Sequence, residues 1–182
     1  MKSYVGSKES TELSVLVGYF ILLGLLFYFV HVGQLAWWIL LASAIVWFAL
    51  EVYLNKSRSL PKAMAVGLFL LVFDFIFENT GWVFGLWHTI SQFAVGVVPL
   101  QVMGIAFFGG TAWAMRMPRK FNAMHSLASC FVFALFGSLG EWLLIRQGLF
   151  VYAPAWNSLF AFISYFITWL MLIAVRYALT AE

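Results

Sequence analysis

Charge is scarce in this chain. Lysine, arginine, aspartate and glutamate make up 9% of its 182 residues, against about 25% in soluble domains. Such a sequence cannot cover a water-facing surface, and a soluble globular domain is excluded. The lysines and arginines are spread over the N-terminal segment, short loops and helix ends rather than gathered on one face, so nothing here is built to bind nucleic acid. There is one cysteine, Cys130, and therefore no internal disulfide. The three histidines, His31, His88 and His125, fall at different levels of the chain and form no His-x-x-His or His-x-x-x-His pair. That argues against a di-iron or other metal centre. No Ser-His-Asp arrangement, glycine-rich phosphate loop or haem-like histidine pair stands out. No cofactor is expected.

What the chain has in abundance is apolar and aromatic residues, 64% and 20% of the total. Windows of about 20 apolar residues mark six helices: Leu13 to Val30, Gln34 to Leu54, Ala63 to Asn79, Pro99 to Arg116, Asn122 to Ile145 and Ala155 to Tyr177. The expectation is an all-α polytopic membrane bundle. It comprises a polar N-terminal segment (1–12), one transmembrane domain (13–178) and a short tail (179–182). The apolar run after residue 12 is too long for a signal-peptide core and reads as a retained helix.

Orientation follows from the basic residues. Lys56, Arg58 and Lys62 lie between the second and third helices, and Arg116, Arg119 and Lys120 between the fourth and fifth. Six crossings then put both loops and both termini in the cytoplasm. A bacterial or archaeal cytoplasmic membrane is the expected location. Arg146 is the exception on the outer side. The stretch from Thr80 to Val98 is too apolar for a solvated loop and is expected to lie in the interface or re-enter the bundle. Helices two–three and four–five resemble a weak parallel repeat: Glu78 stands seven residues before Gly85-Leu-Trp87, and Glu141 seven before Gly148-Leu-Phe150.

The chemistry is expected at Asp74 and Glu78. Residues four apart share a helix face, and intramembrane carboxylates usually face a cavity, a partner or each other. Two carboxylates this close do not both ionise easily. Asp74 lies deeper, among Phe73, Phe75 and Phe77. Glu141 shares a face with Gly137 and would meet Glu78 if the third and fifth helices pack, or else pair with Arg146. Glu51 is expected to pair with Lys56 or reach water. Around the carboxylates stand Trp82, Trp87, Trp142, Tyr152 and Trp156. They could form an interfacial belt, or an aromatic pocket for a long polyene.

Glu78-x-x-Gly81-x-x-x-Gly85-x-Trp87, followed by Gly96-Val-Val-Pro99-Leu100, resembles a motif of membrane carotenoid-biosynthesis proteins, Glu-x-x-Gly-x-x-x-Gly-x-Tyr and then Gly-Val-Pro. That group includes carotenoid hydratases and is similar to the small helical lycopene cyclases and membrane terpene cyclases. The resemblance covers about Asp74 to Gly110, with a fainter echo at Glu141 to Trp156. The chain departs from it in Trp87, in His88-Thr89, and in lacking the cyclases' Pro-x-Glu-Glu/Asp motif. The resemblance implies acid-initiated isoprenoid chemistry on a hydrophobic substrate, with Asp74 or Glu78 as proton donor and Glu141 as second acid or base. Two other readings stand beside it: a non-catalytic subunit or assembly factor of a membrane complex, and a small proton-coupled transporter. The first predicts an aromatic cavity closed to water, the second no cavity, and the third a polar, open one. The expected surroundings are the lipid bilayer, with a second copy or a membrane-complex partner as neighbour.

Overall fold

The computed structural model describes residues 17–55 and 59–180. The polar segment 1–12, the expected start at Leu13, and Lys56 and Arg58 lie outside the described residues. Six helices follow in order: α1 (Val17–Phe29), α2 (Leu35–Leu54), α3 (Leu60–Val83), α4 (Leu100–Arg116), α5 (Ala123–Arg146) and α6 (Ser158–Thr180). Four of them, α2, α3, α5 and α6, are long and apolar enough to cross a membrane. The chain is a helical membrane bundle.

The helix α4 has 17 residues, about 26 Å at 1.5 Å per residue, which is short of the roughly 30 Å hydrocarbon core. It is the most enclosed helix, packed against both α2 and α3, with Thr111 to Met115 buried in succession. Glycine makes the approach to α3 close. A Cβ on Gly67 would meet Thr111 Oγ1 at 2.1 Å and the Phe107 carbonyl oxygen at 2.4 Å. Small residues at such crossings let backbones pack tightly where lipid offers no hydrophobic drive. On the other side α6 packs against α5 and, over a shorter seam, α3. Trp113 and Trp169 (5.2 Å), and Phe133 and Trp169 (4.8 Å), fill the space between α4, α5 and α6.

Three differences from expectation have physical reasons. First, α3 runs four residues past Asn79, to Val83. Asn79 and Thr80 satisfy their side chains on the carbonyls of Phe75 and Ile76, one turn back, so neither breaks the helix. Second, α6 begins at Ser158 rather than Ala155, because Asn157 Oδ1 accepts the amides of Leu159 and Phe160, an N-cap. Third, segment 80–98 inserts no further helix. It carries three short strands, β1 (Trp87–Thr89), β2 (Ala94–Val95) and β3 (Val98–Pro99), and a fourth, β4 (Phe150–Tyr152), lies between α5 and α6. β2 pairs with β3, and β1 with β4, both antiparallel.

Glu51 does not reach water, and the expected pairing with Lys56 lies outside the described residues. It is only 3% exposed, and its partner is Arg116 of α4 at 3.0 Å, with Trp47 Nε1 and Asn55 Nδ2 also donating to it. The opposite end is tied by Gln147, buried after α5. Its Nε2 donates to the Phe27 and Val30 carbonyls, and its Oε1 accepts the amides of Val32 and Gly33. One side chain thus closes the end of α1 and the turn into α2.

Candidate functional site

The site is built from two helix ends of the same design. α3 and α5 each have 24 residues, and each ends seven residues past a glutamate on a left-handed glycine, Gly85 (φ 62°) or Gly148 (φ 71°). Gly85 N–H donates to the Trp82 carbonyl and Leu86 N–H to that of Gly81; Gly148 N–H donates to Ile145 and Leu149 N–H to Leu144. This is the Schellman arrangement, which glycine adopts without a Cβ penalty. The chain turns out of each helix into a three-residue strand.

The two strands pair with Trp87 opposite Tyr152, His88 opposite Val151 and Thr89 opposite Phe150. The ladder is closed at its ends by Ile90 N–H to the Leu149 carbonyl and Ala153 N–H to that of Leu86. Alternation along a strand turns Trp87, Thr89, Phe150 and Tyr152 toward the helices and leaves His88 and Val151 exposed. Trp87 lies directly on Gly81, where a Cβ would meet the indole at 2.1 Å.

Three carboxyls gather beneath the ladder. Glu78 Oε2 accepts from Trp87 Nε1 (3.1 Å) and Thr89 Oγ1 (2.9 Å). Glu141 Oε2 accepts from the Tyr152 hydroxyl, and the Tyr165 ring of α6 lies on Gly137, one turn before Glu141. Asp74 lies one turn deeper on α3. It is half-buried as a residue, yet its Oδ2 is sealed off and has no hydrogen-bond partner among the described residues. The three are near enough for their charges to interact. Every donor bonded to them is neutral among the described residues. Arg146 is turned away, with its guanidinium 4.4 Å from the Tyr28 ring and 5.4 Å from the Trp142 ring. Burial, then the neighbouring Glu141, hold the Tyr152 hydroxyl above the usual phenol range, so it remains a donor.

An aromatic column flanks the carboxyls: Phe69, Phe73, Phe77, Trp87, Trp156 and Phe160, with successive centroids 4.5 to 6.2 Å apart. Of the residues singled out from sequence, the structure brings together Asp74, Glu78, Glu141, Trp87, Tyr152 and Trp156. Trp82 and Trp142 face outward, 51% and 39% exposed. No group of three His, Cys, Asp or Glu among the described residues could hold a metal ion.

No protein-family model, curated protein or solved structure matches the chain. The site therefore has to speak through its own geometry. Thr89 and Tyr165 were invisible in the sequence as neighbours of the site, because each comes to the helices that carry the glutamates from a separate element. Thr89 had one signal: it stands as far past Glu78 as Tyr152 does past Glu141. Tyr165 had none. An open groove of about 300 Å³, lined by Phe75, Ile76, Asn79, Thr80, Val83 and Phe84, lies on the face of α3 turned away from Asp74 and Glu78.

Proposed function

We propose that the chain is a membrane enzyme of isoprenoid or carotenoid metabolism that cyclises or hydrates a lipid-soluble polyene by acid catalysis. The observation that carries this reading is the sealed, unpartnered carboxyl oxygen of Asp74, in a cluster with Glu78 and Glu141 that is bonded only by neutral donors. A charge at that depth is expensive without a partner, whereas a carboxylic acid there is a ready proton donor. Its O–H proton passes to an alkene carbon, leaving a carboxylate and a tertiary carbocation. In cyclisation a second C=C attacks the cation, and a proton leaves to a carboxylate. In hydration water adds to the cation and gives up its proton to the same base. The faces of Phe77, Trp87 and Trp156 suit a transient cation. No metal or nucleotide enters either balance.

The resemblance around Glu78 to Leu100 supports the same substrate class. The proposed setting is a cytoplasmic membrane with both termini inside and the β1–β4 ladder at the outer surface.

We read the chain as internally duplicated, with α3–β1–α4 and α5–β4–α6 as the two units. Residue 60 then corresponds to 123, 83 to 146, 87 to 150 and 89 to 152, one constant offset of 63. The antiparallel register centred on His88 and Val151 is what a two-fold axis between the units would require. On this reading Glu78 and Glu141 are equivalent residues, and the second half begins with α5, not with α4 as the sequence pattern suggested.

The test is the isoprenoid profile of membranes from cells that make a linear polyene, comparing the wild-type chain with Asp74→Asn and Glu78→Gln at matched expression. A cyclised or hydrated product that disappears in the variants supports acid catalysis at this face. An identical profile for three folded, abundant proteins overturns it and favours a non-catalytic subunit of a membrane complex, for which the outward groove on α3 would be a contact surface.

A further inference from the structure

Arg146 has no part in the carboxyl site. Among the described residues, Lys62, Arg116, Arg119, Lys120 and Arg176 lie at one end of the bundle, and Arg146 lies at the other, with the β1–β4 ladder. The pair with Glu141 that its sequence position allowed is not formed. Glu141 meets Tyr152 under the ladder, and among the described residues no carboxylate bonds the Arg146 guanidinium.

Aromatic rings hold it instead. The guanidinium carbon lies 4.4 Å from the centroid of Tyr28 on α1 and 5.4 Å from that of Trp142 on α5. These two rings stack, 6.0 Å apart with 24° between their planes. Gln147, the next residue, fixes the arrangement by bonding the end of α1 to the end of α5. The same bonds use up the acceptors nearby. The Leu143, Leu144 and Ile145 carbonyls take backbone amides, and those of Phe27 and Val30 take the Gln147 side chain. A guanidinium carries five N–H donors in a rigid fork. With rings against it and the helix-end carbonyls engaged, this exposed fork opens away from the protein.

An apolar track leads to it. Ile21 and Leu25 share a face of α1 with Tyr28, and Leu135 and Leu139 share a face of α5 with Trp142 and Arg146, at helical spacings of three and four. The four aliphatic side chains are exposed, and the Tyr28–Trp142 stack sets the two faces side by side. From Leu135 to Arg146 the track runs about 16 Å at 1.5 Å per residue. That is one leaflet's share of a hydrocarbon core of roughly 30 Å.

We propose that this seam between α1 and α5 binds a phospholipid. The Arg146 fork takes two oxygens of the phosphate, a match of planar donors to paired acceptors, and the track takes an acyl chain. Stacking on Tyr28 and Trp142 holds the guanidinium ready and leaves its donors in place. Basic side chains between membrane helices are suited to phosphate head groups. Inorganic phosphate would use the fork but not the track, whereas a phospholipid uses both. The site is separate from the three carboxyls and does not depend on the acid-catalysis reading.

The experiment is native mass spectrometry of the purified full-length protein in detergent, titrated with phosphatidylglycerol, for wild type, Arg146→Gln, Arg146→Lys and Tyr28→Leu. The wild type should bind one lipid per chain saturably. Arg146→Gln should weaken that binding about tenfold or more, since charge-assisted bonds are lost. Arg146→Lys, a point charge without the fork, should fall between them. Tyr28→Leu keeps the charge but removes a ring that holds it, and should weaken binding too. If Tyr28→Leu fails to fold, Arg146→Gln, at an exposed position, decides the matter. Diacylglycerol with the same chains should not fill the site, and inorganic phosphate should not displace the lipid at equal concentration. Equal affinity in wild type and Arg146→Gln, or diacylglycerol binding as tightly, overturns the proposal. Displacement by inorganic phosphate overturns it as well, by showing an anion site to which the track contributes nothing.

Discussion

Thr89 stands to Glu78 as Tyr152 stands to Glu141: each hydroxyl donates to the glutamate eleven residues before it. The spacing is a product of backbone geometry. A helix that ends on a left-handed glycine seven residues past the glutamate sends the chain back over its own last turn. The second inward-facing position of the following strand then lies above the carboxyl. Both helix ends use this route, and the ladder between β1 and β4 locks them together.

Tyr152 gives the first prediction. Its hydroxyl is held above the usual phenol range in the folded chain, by burial first and by Glu141 second. An unfolded tyrosine ionises near pH ~10. The folded state thus keeps a proton that the unfolded state releases. The stabilisation is complete below that pH and is lost as pH rises above it toward the folded value. Melting temperature in detergent should therefore fall more steeply above about pH 10 for the wild type than for Tyr152→Phe. Equal slopes would mean that the Tyr152 hydroxyl titrates as it does in the unfolded chain.

Two glycines should behave oppositely. Gly81→Ala drives a Cβ into the Trp87 indole, and the indole is pinned by its bond to Glu78. Overpacking of this kind costs roughly 1–3 kcal/mol, and the displaced ring should change tryptophan fluorescence. A Cβ on Gly140 meets nothing within 4 Å. Gly140→Ala inside α5 should raise the melting temperature, since alanine is favoured over glycine in a helix by up to about 1 kcal/mol. Thermal unfolding of the two variants side by side checks both signs.

Much of the bundle was legible because membrane helices are written in long apolar runs, and α2, α4 and α5 begin and end within a residue or two of where those runs do. The ends of α3 and α6 were not, because they depend on side chains that fold back on the helix: Asn79 and Thr80 in one, Asn157 in the other. The strands were hidden for a different reason. Three residues of Trp-His-Thr carry no signal until Phe-Val-Tyr is brought beside them from sixty residues away. The carboxyls announced themselves by their rarity, while their donors did not. Glu51 shows the limit most clearly: Arg116, the cation it meets among the described residues, lies on the neighbouring helix and far away in sequence.

Gln147 should be sensitive to loss of its amide. It bonds two carbonyls at the end of α1 and two amides in the turn that follows. In Gln147→Leu those backbone groups lose their partners in a buried place, at about 1–3 kcal/mol for each group left unsatisfied. Hydrogen exchange should rise at Val32 and Gly33, whose amides are the ones released, ahead of any change in α3 or α4. Protection there equal to wild type would show that the backbone had found other partners.

The Glu51–Arg116 pair calls for a double-mutant cycle, because single variants mislead at buried ion pairs. Removing one partner strands the other charge, at roughly 3–5 kcal/mol when both are fully buried. Arg116 retains 21% side-chain exposure against 4% for Glu51, which puts the expected cost near the lower end. The two singles should also be unequal. Arg116→Met leaves a sealed carboxylate with Trp47 and Asn55 as its donors among the described residues, whereas Glu51→Gln leaves a guanidinium that can turn to water. Arg116→Met should therefore be the more damaging. The double variant, with no charge left to strand, should be more stable than Arg116→Met alone. Thermal unfolding of all four proteins in one detergent measures this directly. Additive losses across the cycle would mean that Glu51 and Arg116 contribute separately, through packing, and that the charges are not coupled.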